Sequence, residues 1–188
     1  MEAAEFFETH FAEGNISKEL QTLPEEVQVA WEAERVHPLH SPGSVAHDEI
    51  VCRCHVSPTH YEPGKQQLKP TAFQDAATFG LSVDRLKHAS LESILAKAKQ
   101  RVEIGKAGRI LFGFSMFEVG QLRQVRVRLE GSKDPDRRGL GVYDTALQDE
   151  PEHADVCTIA PSSHGGRSVR HALFQMGNAT HKLLTSED

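Results

Sequence analysis

Long apolar runs are missing from the sequence. No stretch approaches the ~18 consecutive apolar residues of a membrane-spanning helix, so no bilayer span is expected. Cysteine is scarce: there are three, an odd number, and Cys52 and Cys54 are separated by a single residue. Neighbours that close seldom form an unstrained disulfide, which points to reduced thiols and a cytoplasmic setting. The opening MEAAEFFETHFAEG lacks the basic segment and apolar core of a secretory signal. There is no nucleophile elbow, no dinucleotide-binding glycine fingerprint, no H-E-x-x-H and no Walker Lys-Ser/Thr, so those enzyme classes have no motif here. Internal repeats and low-complexity tracts are also missing.

What is present is ordinary for a globular chain: 188 residues, 38% hydrophobic and 26% charged, enough for one well-buried core. The charge is uneven. Residues 1–50 hold eleven Asp/Glu against two Lys/Arg, a net −9, and the remainder is net +3. An acidic head on a mildly basic body suggests either intramolecular docking or a segment that meets a protein partner. The overall net charge of −6 argues against general nucleic-acid binding.

The pattern divides the chain into an acidic helical arm with its linker, residues 1–44, and an α+β domain, residues 45–188. Ala3, Phe7 and Phe11 recur at helical spacing, and Gly14 ends that helix. A second helix is expected from about Thr22, with Thr22 and Glu25 as a capping box and Val27, Ala30 and Trp31 on one side. Residues 38–48 are turn-rich and read as a linker. Ile50–Val56 alternates Ile50, Cys52, Cys54 and Val56 on one face with Val51, Arg53 and His55 on the other. The first set is expected in the core and the second at solvent or in a cleft. Phe79–Val83 alternates in the same way, which leaves Ser82 on the open face.

Ser90 is a good N-cap for a helix reaching Ile104, with Leu91, Ile94, Leu95, Ala98 and Val102 as its apolar stripe and Gly105 beyond its end. Arg109–Val119 is expected as a strand. Residues 123–130 are expected as a second strand with a basic face, 131–141 as a loop, and Ala154–Ile159 as a strand. Ser168–Met176 closes the series as a helix. The class is therefore α+β: a mostly antiparallel sheet, helices packed on one face, and an acidic helical N-terminal arm.

Four clusters carry candidate chemistry. Cys52-Arg53-Cys54-His55 has zinc-binding residue types, but C-x-C on an extended strand is not the turn-wrapped spacing of a structural site, so no metal is expected. Arg53, Ser82 and Glu118, each on its own strand, form the second cluster. Their order resembles the arrangement of ADP-ribosyltransferases, where an Arg or His, a Ser and a Glu on separate strands surround NAD. That resemblance implies an NAD-consuming transferase or glycohydrolase. Arg53 with His55 would hold the pyrophosphate, Ser82 would position the ribose and Glu118 would stabilise the oxocarbenium-like state. It covers these positions and not a domain; the family's Ser-Thr-Ser run and paired Glu/Gln-x-Glu are lacking here.

The third cluster is His164-Gly165-Gly166-Arg167 with Arg170, a glycine-rich loop feeding a helix. Free backbone N–H groups and two arginines there suit a phosphate or carboxylate. The fourth is Glu150–Asp155, in which His153 and Asp155 share a face of an extended segment and with His55 suggest a metal or an acid–base pair. The leading functional expectation is a binding protein that uses its acidic arm on a protein partner and its basic face or glycine loop on a phosphate-bearing ligand. The alternative is the NAD-consuming enzyme.

Overall fold

The alternating run that starts at Ile50 lies in the middle of a six-stranded sheet. A computed structural model describes residues 2–34, 39–62, 67–105, 108–128, 136–160 and 165–184. The sheet contains β1 (Ile50–Ser57), β4 (Leu81–Arg85), β5 (Ile110–Glu118), β8 (Leu140–Asp144), β9 (His153–Thr158) and β10 (Lys182–Leu183) in the order β10-β5-β1-β4-β9-β8. Every pairing in it is antiparallel. Two short ribbons, β2 (Tyr61–Glu62) with β3 (Gln67–Leu68) and β6 (Arg126–Val127) with β7 (Arg137–Arg138), lie outside it. The helices are α1 (Ala3–Glu13), α2 (Ile16–Leu20), α3 (Glu25–Glu32), α4 (Leu91–Ile104), α5 (Val119–Gln124) and α6 (Gly165–Thr180), with a 3-10 helix at Pro70–Ala77. No helix among the described residues is long and apolar enough to cross a membrane.

The class is α+β, with an N-terminal helix and an antiparallel sheet, but helices cover both faces of that sheet. On one face, Val51, Leu81, Val83, Val142, Ala154 and Val156 pack against Phe73 of the 3-10 helix, Leu122 of α5, and Val169 and Leu173 of α6. On the other face, Cys52 and Phe114 meet Ile94 of α4, while Tyr143 and Cys157 meet Phe6 and Phe7 of α1 and Ile16 and Leu20 of α2. The strand alternation therefore sorted the faces of β1 correctly but misassigned the solvent. The Val51–His55 side, expected to be open, faces the larger core, and His55 is fully buried there. A sheet buried on both faces has no polar side for alternation to reveal.

Local signals explain most boundaries. Gly14 takes a left-handed φ of 66° and ends α1, its N–H bonding back to Phe11. Ser90 caps α4, its hydroxyl accepting from the Ser93 N–H at 3.2 Å. Three expectations are corrected. The capping box does not form: the Thr22 hydroxyl donates to the Glu19 carbonyl, and α3 starts after Pro24. Residues 123–130 are not one strand. Val119, Gly120 and Leu122 are buried at helical spacing in α5, and among the described residues 123–128 only Arg126–Val127 is a strand; 129 and 130 lie outside the described residues. The ring of the exposed His47 lies close over Gly120, where a Cβ would come within 2.6 Å of its Nε2 and push that ring aside. Finally, Leu140–Gly141, expected at the end of a loop, begins β8, a strand buried along its whole length; residues 131–135 of that loop lie outside the described residues.

The acidic segment docks onto the rest of the chain. Glu32 is 5% exposed and accepts from Arg123 Nε at 2.9 Å, Arg138 Nη2 at 2.7 Å and the Val142 N–H at 2.7 Å. Glu25 pairs with Arg137 at 2.9 Å. With Phe7 and Leu20 fully buried against β8 and β9, residues 2–34 contribute core surface as well as charge.

The turn-rich segment before β1 is held by a buried charge. Arg85 is 1% exposed and forms a bidentate pair with Glu49, Nε to Oε2 at 2.8 Å and Nη2 to Oε1 at 2.7 Å. Its remaining N–H groups reach the Gly43 carbonyl at 2.7 Å and the Ser44 carbonyl at 3.2 Å, with Asp144 at 3.8 Å. Ser41 closes the network through its hydrogen bond to Asp144. Removing one partner of such a pair leaves the other charge buried and uncompensated, which costs about 3–5 kcal/mol. Glu49→Ala should therefore lower unfolding free energy by that order in urea titration. The paired change Glu49→Leu/Arg85→Met should recover much of the loss.

Candidate functional site

Register decides what the strand residues can do together. Cys52 lies opposite Asp84 in the β1–β4 pairing, which puts Cys54 and Ser82 on the same face and Arg53 on the other. Ser82 is exposed, and Arg53 reaches only its backbone carbonyl, through Nη1 at 2.9 Å. The Arg53 guanidinium is largely covered, at 13% exposure, and pairs with Asp75 of the 3-10 helix at 3.7 Å. Glu118 lies at the far end of β5, opposite Ile50, and accepts a hydrogen bond from the Gln121 amide at 2.9 Å. The transferase-like set is thus spread over two faces and two ends of the sheet. Arg53 and His55 share a face; Ser82 and Glu118 do not join them.

His55 belongs to a buried imidazole cluster. Its Nε2 lies 2.8 Å from the Ser115 hydroxyl, and that hydroxyl donates to the Gly177 carbonyl at 2.8 Å. The Ser115 oxygen must therefore accept from His55, which places the proton on Nε2 and leaves Nδ1 with a lone pair. Nδ1 has no partner among the described residues, and neither does Nε2 of His181, whose ring centroid is 5.7 Å away. His60, at 6.0 Å, accepts from the Val56 N–H at 3.1 Å. Burial, reinforced by the Arg53 cation, lowers the His55 pKa to about 2 and that of His60 to about 4. These rings are neutral packing groups near neutral pH.

The Glu150–Asp155 cluster is paired with residues outside it. Glu152 pairs with Lys97 and Glu150 with Arg101, both from α4. The Thr145 hydroxyl donates to Asp155 at 2.7 Å and lies 3.0 Å from His153 Nδ1. His153 and Asp155 do share a face, but His55 projects from the other side of the sheet. Among the described residues no group of three or more His, Cys, Asp or Glu side chains is placed to hold a metal ion.

The arrangement with unspent binding capacity lies where β9 hands over to α6. A cleft of about 220 Å³ is lined by Phe73, Gln74, Ala76 and Ala77 of the 3-10 helix, Thr158 of β9, and Gly166, Arg167 and Arg170 of α6. Local packing fixes all three elements. Val169 and Leu173 of α6 are fully buried in the main core, and Gly177 lets α6 lie directly on the Phe73 ring. Arg167 is exposed and Arg170 half-buried, one turn apart, and neither has an ion-pair partner among the described residues. The first N–H groups of the 16-residue α6 have no acceptor within the helix and carry its positive end. Gly166 opens onto free space, with no atom within 4 Å of a hypothetical Cβ.

Thr158 completes this site. It is fully buried, yet its hydroxyl has no hydrogen-bond partner among the described residues. The sequence pointed to Gly165, Gly166, Arg167 and Arg170; His164 lies outside the described residues. Thr158 was missed, because a threonine inside an apolar strand is ordinary, and so was the wall formed by the 3-10 helix.

Scans of the chain against models of known protein families, against curated proteins and against solved structures found no match. The functional argument therefore rests on the geometry of these clusters.

The imidazole cluster makes stability depend on pH with a definite sign. For His55 and His60 the folded pKa lies below the ordinary value of 6.5, so the unfolded chain binds more protons as pH falls. Their contribution is constant above about 6.5 and declines as pH drops through the interval down to the folded values, about 4 for His60 and about 2 for His55. Urea midpoints should fall steadily below pH 6.5. His55→Gln, which preserves a donor to Ser115, should flatten that decline.

Proposed function

We propose that the protein is a binding protein for a phosphate-bearing ligand and that the ligand's anionic group occupies the cleft at the start of α6. The single observation that carries this reading is the buried hydroxyl of Thr158 at the cleft, with no hydrogen-bond partner among the described residues, beside two arginines that have no ion-pair partner among those residues. An unsatisfied buried hydroxyl costs about 1–3 kcal/mol, a penalty that an oxyanion accepting its proton removes. Arg170 and Arg167 supply charge-assisted donors, and the N–H groups of Gly165 and Gly166 supply the fixed positive end of the helix. The apolar wall of Phe73, Ala76 and Ala77, with the Gln74 amide at its margin, suits the uncharged part of the ligand.

No hydroxyl, thiol or carboxylate nucleophile with an adjacent base faces this cleft among its lining residues. The site therefore binds and orients, and binding is the activity it supports best. The face that would have served an NAD-consuming enzyme has Arg53 engaged by Asp75 and Ser82 turned away.

Thermal unfolding in millimolar inorganic phosphate tests the reading. Wild type should be stabilised in proportion to ligand saturation, and the gain should shrink with added sodium chloride. Arg167→Ala/Arg170→Ala should abolish it. Thr158→Val separates binding from packing: the variant should be at least as stable as wild type without phosphate, because it removes an unpaired polar group. Its phosphate affinity should be about tenfold weaker, the equivalent of a hydrogen bond to a charged group. If phosphate stabilises wild type and the double-arginine variant equally, the anion binds elsewhere and the proposal fails.

A further inference from the structure

The N-terminal segment lies directly behind the cleft at the start of α6. The last carbonyls of a helix have no partner within it, and those of the 3-10 helix are taken up by α2. The Ser17 hydroxyl donates to the Ala76 carbonyl and lies 3.2 Å from the Thr158 carbonyl. Gln21 Nε2 donates to the Ala77 carbonyl at 2.9 Å. The Ser17 and Lys18 N–H groups both donate to the Thr78 carbonyl, at 3.0 and 3.2 Å. Ala76 and Ala77 belong to the apolar wall of the cleft, and Thr158 carries its buried hydroxyl. Ser17 is itself fully buried, and so are Ile16 and Leu20, which pack with Cys157 and Ile159 on either side of Thr158 in the sequence.

Given the anion site proposed above, on which this step rests, we infer that α2 sets the spacing of the cleft, with Ser17 and Gln21 as positioning residues, so that docking of the N-terminal segment and anion binding are coupled. Neither residue lines the cleft. Both act through the backbone that carries its wall and its buried hydroxyl.

The cleft is assembled from three elements, so its geometry depends on what holds them together. Phe73, in the first half of the 3-10 helix, meets Gly177 of α6. That contact leaves the end of the 3-10 helix to be placed by α2, through the carbonyls of Ala76, Ala77 and Thr78. Because Ser17 reaches both the Ala76 and the Thr158 carbonyls, it also sets the wall against β9. Binding groups keep their geometry only while the hydrogen bonds that support them are in place. With α2 undocked, these carbonyls lose their donors and the wall is free to move relative to Thr158 and the two arginines. Linkage makes the effect reciprocal: if undocking α2 weakens anion binding, a bound anion holds α2 in place by the same factor.

The test titrates the full chain with inorganic phosphate and takes the affinity from the Gly166 amide resonance. Ser17→Ala and Gln21→Met should each weaken binding by about fivefold or more. Glu49→Ala, which removes the partner of Arg85 at the far end of β4, should leave the affinity unchanged, because lost stability elsewhere does not alter the cleft. If Ser17→Ala does not fold, Gln21→Met, at a half-buried position, decides. In hydrogen exchange, saturating phosphate should protect the Ser17 and Lys18 amides by a larger factor than those of α4, and Arg167→Ala/Arg170→Ala should show no such gain. Arginine-dependent phosphate binding with unchanged affinity in either folded α2 variant, or added protection spread evenly over α2 and α4, overturns the coupling and leaves the anion site standing. No phosphate binding by wild type overturns both.

Discussion

A guanidinium in the core dictates much of the architecture. Arg85 ends β4 with its side chain in the main core, and a cation there must be matched by an anion and by acceptors for its other N–H groups. The chain meets that demand by folding residues 41–49 back over the end of the sheet, so that Glu49 and the Gly43 and Ser44 carbonyls converge on it. Further contacts follow from this one. With residues 41–49 fixed, the Val45 carbonyl receives Arg123 of α5, and His47 closes over Gly120. Arg123 in turn shares Glu32 with Arg138, which ties α3 to the edge of the sheet. A segment composed mostly of turn residues thus becomes a fixed part of the fold, because leaving Arg85 unmatched would cost more than ordering it.

The same economy of polar groups separates structural clusters from candidate sites. Arg85, Glu32, Glu152 and Asp155 all have partners. The imidazoles of His55 and His60 are held neutral by burial, packed edge-on against each other, with His55 also edge-on to Phe73. Against that background, Arg167, Arg170 and the Thr158 hydroxyl stand out: among the described residues the arginines have no ion-pair partner and the hydroxyl has no hydrogen-bond partner. They also lie on elements whose positions the core fixes: Val169 and Leu173 anchor the helix, and Phe73 meets Gly177 beneath the cleft wall. A site built in this way is preorganised, so little ordering cost is left for the moment of binding.

Much of this was legible in the sequence, and the failures have physical causes. Helix α4 was readable from end to end because Ser90, an apolar stripe and Gly105 all agree. Alternation in β1 sorted residues by face, but which face is buried depends on helices far along the chain, and here both faces are covered. Whether Ser82 meets Arg53 depends on register, a pairing across 29 residues that neither strand encodes alone. Helix α3 was expected, but its buried side was misjudged, because it buries Gln28 and Glu32, polar residues whose partners lie outside it. The proposed anion cleft was half legible: glycines before two arginines at a helix start carry a local signal, whereas Thr158 matters only because no described residue satisfies its hydroxyl.

The central claim, that the start of α6 holds an anionic group, is tested most directly by following backbone amide resonances during titration with inorganic phosphate. The account predicts that Gly165 and Gly166 N–H signals shift downfield and saturate together with the Arg167 and Arg170 side-chain Nε–H signals. Residues of the buried imidazole cluster should remain unchanged. Saturable shifts centred on another region of the surface, or no shift at α6 at phosphate concentrations that stabilise the protein, would contradict it.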